Sequence, residues 1–229
     1  MKNRLYRELS WVMGMILNSC AIALLVKSQF GISTLSSLPL VLSDIIPRIT
    51  LGTMTTLVQS ILLVIVICIT RQPRISYLFS FAIAYIFGLM VDIAAGIFAP
   101  LAMSFPLRIV YFAVGWLLIS MGGALFIFSG LPLMPNDCAI RDLSVFTGKS
   151  VKQVKTVFDV IFVGTAVTLS LLFLHRVEGV GIGTVIMVFF TGTLTQMFID
   201  NINQRWKPAV LCSITDRLVE LASVHSSHA

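Results

Sequence analysis

The sequence predicts an all-α integral membrane protein. Six transmembrane helices form two inverted three-helix repeats, with short broken helices after the first and fourth spans and an amphipathic helix at the C-terminal end. Three observations carry this. The 229 residues are 57% apolar and only 11% charged, with a mean hydropathy of +0.97, whereas soluble domains carry about 25% charged residues. Six apolar runs lie between flanking charges, each long enough for a helix to cross about 30 Å of hydrocarbon. The second three runs repeat features of the first three. A three-crossing unit copied head to tail sits the other way up the second time, a common building plan of transporters.

The first span is expected near 9–27, bracketed by Arg7 and Lys27. Leu17-Asn18-Ser19-Cys20 loosely resembles a lipoprotein cleavage box, but Asn18 fits it poorly and five more spans follow. An uncleaved first helix is therefore expected. Next comes a polar break, Phe30 to Ser37, with Ser36 a possible N-cap for a short segment from Leu38 to Ile46. Spans two and three are placed near 50–70 and 75–97, the latter interrupted only by Asp92. The fourth is placed near 107–129. A second break, Gly130 to Asp137, contains two prolines and offers Asp137 as the cap of a segment from Cys138 to Ser144. Spans five and six fall near 152–174, with Asp159 inside, and 180–200. The six-helix membrane domain is thus 1–204, its repeats running from about 9 to 100 and 107 to 204. Residues 205–229 form a cytoplasmic tail. There Arg205-Trp206-Lys207-Pro208 reads as an interfacial anchor, and Val210, Leu211, Ile214, Leu218 and Leu221 recur at helical spacing.

Evidence for duplication is strongest in spans one and four. At an offset of 101, Gly14/Gly115, Leu17/Leu118, Ser19/Ser120, Ala23/Ala124, Leu24/Leu125 and Ser28/Ser129 are identical. At offset 100, Thr56 meets Thr156 and Gln59 meets Asp159; at offset 104, Gly88 meets Gly192 and Asp92 meets Gln196. Two breaks at matching positions point to a binding site between the repeats. The plainer alternative is a pair of interfacial turns with short helices lying on the membrane surface.

Charge placement sets the orientation. With the N-terminus inside, the inner segments hold twelve Lys and Arg residues and the outer ones hold four, namely Lys27, Arg48, Arg108 and Arg176. Both termini are then cytoplasmic. The formal net charge of +6 follows from this topology. No soluble basic face with interleaved aromatics suggests a nucleic-acid partner. Cys20, Cys68, Cys138 and Cys212 are scattered and imply neither disulfides nor a metal cluster. Gly179-Val180-Gly181-Ile182-Gly183 follows no strand and opens a membrane helix, so it is not read as a phosphate loop. No cofactor is expected. Catalysis is not expected either, since Ser19 and Ser120 have no histidine at helical spacing.

Several short patterns resemble the YczE/YyaS/YitT group of bacterial integral membrane proteins. In the first half these are Phe30-Gly31-Ile32-Ser33-Thr34, Leu51-Gly52-Thr53 and Phe87-Gly88-Leu89-Met90-Val91-Asp92. In the second half they are Pro135-Asn136-Asp137, Gly148-Lys149-Ser150 and Gly181-Ile182-Gly183-Thr184 ahead of Gly192. Thr34 stands where that group's proline is expected. The resemblance implies a bacterial inner-membrane protein of five or six helices and transfers no catalytic residue.

The polar residues inside the spans are the functional candidates. Asp159 is the sharpest, because a lone charge at mid-bilayer costs roughly 2.5–3.5 kcal/mol on insertion scales. It is expected to approach Gln59 across the pseudo-two-fold axis and to couple a cation or proton. A structural interhelical hydrogen bond is the competing reading. Asp92 and Gln196 read as outer and inner gates, or for Asp92 as an interfacial carboxylate. Asn18 lines a site or bonds a neighbouring helix. Asn136 and Asp137 contact solute or cap a helix. The expected function is movement of a small solute, with the bilayer and that solute or ion as partners. A second copy or another membrane protein is a further partner class. A solute-capturing subunit of a larger complex and a non-transporting scaffold are the alternatives.

Overall fold

A computed structural model describes residues 3–71, 75–131 and 134–209. It contains eight described helices, in chain order α1 (Arg7–Ser28), α2 (Thr34–Ile45), α3 (Leu51–Thr70), α4 (Ile75–Phe98), α5 (Phe105–Ser129), α6 (Pro135–Thr147), α7 (Val151–Leu169) and α8 (Ile182–Arg205). A π-helical segment, Ser170–Leu174, continues α7. Six of these, α1, α3, α4, α5, α7 with its π-helical extension, and α8, are long and apolar enough to cross a membrane. The chain is a multi-pass all-α membrane protein whose apolar outer faces contact lipid.

Two short strands were not expected. β1 (Asn3–Tyr6) pairs in parallel with β2 (Trp206–Ala209), so the anchor sequence after α8 is strand rather than a bare stop. The expected amphipathic tail helix lies at 210–229, outside the described residues.

α1 and α5 lie along each other at the centre, with α4 against α1 and α8 against α5. Their approach needs small residues. A Cβ on Gly14 would crowd Gly122 and Phe126, while one on Gly115 would crowd Ala21 and Leu25. The two sets correspond at offset 101. Met15, Ile22, Ile83, Phe87, Val91 and Phe126 fill the adjoining core. The remaining four elements close a ring, with α2 on α7, α7 on α6, α6 on α3 and α3 on α2. Ile140, Val154, Phe158 and Phe162 form its centre, joined by Leu35, Leu38, Val58 and Leu62.

The ends of α1 and α5 are built alike. Ser28 donates its hydroxyl to the Leu25 carbonyl (2.6 Å) and accepts from the Phe30 N–H (3.2 Å). Ser129 does the same with Phe126 (2.7 Å) and Leu131 (3.3 Å). Gln29 and Gly130 each follow in the left-handed region, at φ 57° and 62°. The chain then turns into α2 or α6. Both begin earlier than expected. Ser33 precedes α2 and Met134 precedes α6, so Ser36 and Asp137 lie inside the first turn and neither is the N-cap. Pro135 at the first helical position explains the early start of α6, since its fixed φ suits a residue that needs no N–H partner.

One correspondence fails. α3 and α4 are tightly packed, whereas α7 and α8 hardly touch. A Cβ on Gly52 would collide with the Gly88 carbonyl, and one on Gly88 with the Thr56 hydroxyl. Gly192, the counterpart of Gly88, has open space beside it.

Candidate functional site

The ring α2–α3–α6–α7 collects polar side chains at the N-terminal ends of its two short helices. Asp159 lies nine residues along α7, about 12 Å from its start. It is half-buried, its side chain 20% accessible. Oδ1 accepts from the Thr34 hydroxyl at 2.5 Å, and Oδ2 lies 3.6 Å from Lys155 Nζ one turn back. Thr34 is the first residue of α2, so the carboxylate sits at a helix end whose free N–H groups favour negative charge.

Asp137 occupies the first turn of α6. Asp137 is exposed, with Lys155 within electrostatic reach of its carboxyl. Its neighbour Asn136 is buried, and Oδ1 has no hydrogen-bond partner. Gln59 on α3 is 4% exposed, and its Oε1 is also unpartnered. Buried amide oxygens are nearly always satisfied, and two such orphans on packed helices mark places where a bound donor would be stabilising.

The expected pairing of Gln59 with Asp159 is not realised as a hydrogen bond. Asp159 is held by Thr34 and Lys155, because α2 rather than α3 packs along α7. Asp92 and Gln196 also have separate partners. Asp92 Oδ1 accepts from the Gly52 N–H (2.7 Å) and Oδ2 from the Thr50 hydroxyl (2.6 Å), which fastens the start of α3 to α4. Gln196 donates to Asp200 Oδ1 on its own helix (2.9 Å) and is exposed. Asn18 is buried in the α1–α5 crossing, donating to the Gly14 carbonyl (2.8 Å) and filling space beside Gly122.

Three groups had no place in the sequence expectation. Thr34 and Lys155 are visible only as neighbours of Asp159. The third is a clasp beside the first break. Ile32 N–H donates to the Gly179 carbonyl (3.1 Å), and Gly183 N–H donates to the Phe30 carbonyl (2.8 Å). Arg108 adds a bond to the Ser28 carbonyl (2.8 Å) and lies over the Phe30 ring. At the far end of α2, Asp44 neighbours Glu178, which pairs with Arg176 at 2.5 Å. Among the described residues no cluster of His, Cys, Asp and Glu could hold a metal ion.

No curated protein and no solved structure gives a match. A family match spans residues 5–200, covering five spans, most of the sixth and both short helices. The chain therefore belongs to DUF6198, a family of unknown function.

Proposed function

We propose that this protein moves a small solute across the bacterial inner membrane, using a site between the first turns of α2 and α6. The observation that carries the reading is Asp159. It is a partly accessible carboxylate well inside a spanning helix, bonded to the first residue of a short helix that ends short of spanning. A purely structural carboxylate would be expected to be fully bonded and closed off. This one keeps part of its surface open, its partner Lys155 is also within electrostatic reach of Asp137, and two buried amides of the same four-helix ring, Gln59 and Asn136, are unpartnered. Asp159 acts as the coupling group, with Thr34 and Lys155 setting its orientation and charge balance.

Inverted duplication belongs to the same reading. It is supported by the matched serine turns after α1 and α5, by α4 on α1 as α8 is on α5, and by α2 on α7 as α6 is on α3. Alternating access then follows from rocking one unit against the other around the site. Both termini are cytoplasmic in this scheme, and the likeness to the YczE/YyaS/YitT group fits a bacterial inner membrane. The chemistry is binding and release, with no covalent step.

The test uses purified full-length protein and a panel of small metabolites and cations, scored by thermal stabilisation. Hits are then assayed for uptake into proteoliposomes. Compounds that stabilise the wild type are expected to lose most of their shift, and their uptake, in Asp159→Asn and Thr34→Val. Hits whose binding and uptake survive both substitutions would remove the site from this position.

A further inference from the structure

A groove of about 510 Å³ lies outside the solute site, at the turn between α6 and α7. Lys149 and Lys152 line its mouth with the Thr147 hydroxyl, while Leu143, Val157 and Phe158 line its wall. The two lysines stand at the start of α7 and Val157 and Phe158 further along it, with Thr156 between. Lys152 is the second residue of the Val151–Leu174 span, and Phe158 lies six residues further in, about 9 Å deeper. Cations at the rim of a span above an apolar wall match a molecule with an anionic head and a hydrocarbon tail.

Neither lysine has an ion-pair partner among the described residues, and both are exposed. At the nearby helix start, Ser150 and Gln153 satisfy each other's backbone N–H groups at 3.2 and 3.3 Å, and the two lysines are the charged groups on the groove. Basic pockets beside transmembrane helices bind phosphate-bearing lipid heads in this way. Charge placement puts both lysines at the cytoplasmic leaflet.

We propose that this groove binds an anionic phospholipid, with Lys149 and Lys152 on the phosphate and the exposed Val157 against the acyl chain. The site shares no residue with the solute site, so it stands whatever the solute is.

The experiment titrates full-length protein in neutral detergent with phosphatidylglycerol, with phosphatidylcholine of the same chains, and with inorganic phosphate, reading the thermal midpoint. Phosphatidylglycerol is expected to raise the midpoint saturably, with little effect from the other two. The double variant Lys149→Gln, Lys152→Gln should weaken that response roughly thirtyfold, from about fivefold per lysine. Arg71→Gln, an exposed cation outside the groove, should leave it unchanged, and Val157→Ser should weaken it for long acyl chains more than for short ones. Equal stabilisation by phosphatidylcholine would overturn the proposal. So would equal stabilisation by inorganic phosphate, which would make the ligand a free anion. An undiminished response in the double lysine variant would overturn it as well.

Discussion

The α3–α4 pair in the first half of the chain is fastened, whereas the α7–α8 pair in the second half is parted. Both α3 and α7 start with a hydroxyl cap accepting from the third residue on, Thr50 from Thr53 and Ser150 from Gln153. Two positions later the halves diverge. Gly52 lets the α4 backbone in, and its N–H is taken by Asp92. The residue at that offset in α7 is Lys152, which is exposed. At offset 104 from Asp92 stands Gln196, which turns to Asp200 on its own helix. The α3–α4 pair is bonded across its contact, while α7 and α8 hardly touch. In the rocking mechanism proposed above, the α7–α8 pair would be the part free to move.

The largest test breaks the fastening. Gly88→Leu forces a side chain into the Thr56 hydroxyl and the Gly52 backbone, and should lower stability by about 3 kcal/mol or more, or prevent folding. Gly192→Leu meets open space and should stay within about 0.5 kcal/mol. Thermal midpoints in detergent compare the two, and equal losses would show that α7 and α8 pack as α3 and α4 do.

A smaller effect is expected at the polar clamp. Asp92→Ala strands the Gly52 N–H and the Thr50 hydroxyl and should cost about 1–3 kcal/mol, against almost nothing for Gln196→Ala. A gating role for Asp92 predicts the reverse emphasis, altered transport at unaltered stability.

The smallest test concerns pH. Burial, then the neighbouring Glu178, pushes the Asp44 carboxyl up from 3.8 to about 6, with Arg176 opposing. Its counterpart at offset 101 is Val145, which does not titrate. A raised carboxyl favours its protonated form in the folded state. The stabilisation is complete below 3.8 and is lost as pH rises through about 6. The thermal midpoint of the wild type should therefore drift down between those values, and Asp44→Asn should flatten the drift. An unchanged slope in that variant would place the titrating group elsewhere.

The spans were legible because hydropathy sums over about 20 residues, so single errors cancel. The expected 50–70 and 75–97 compare with Leu51–Thr70 and Ile75–Phe98. The two breaks were legible as well, since glycine, proline and serine interrupt apolar runs there. What was lost depended on one bond at a time. Ser36 and Asp137 have capping chemistry, but helix starts are decided by backbone geometry a few residues earlier. Asp159 was visible as an anomalous charge, while its partner Thr34 lies 125 residues away, and no local pattern reports such a contact. Gln59 was paired with it by duplication logic, which aligns positions but does not say which short helix leans on which long one.

The β1–β2 ladder carries a topological corollary. Two strands joined side by side occupy one aqueous compartment, so the chain enters α1 and leaves α8 on the same side of the bilayer. That requirement admits only an even number of passages, independently of where lysine and arginine fall. Tags carried on the two ends would accordingly report the same protease sensitivity in sealed vesicles.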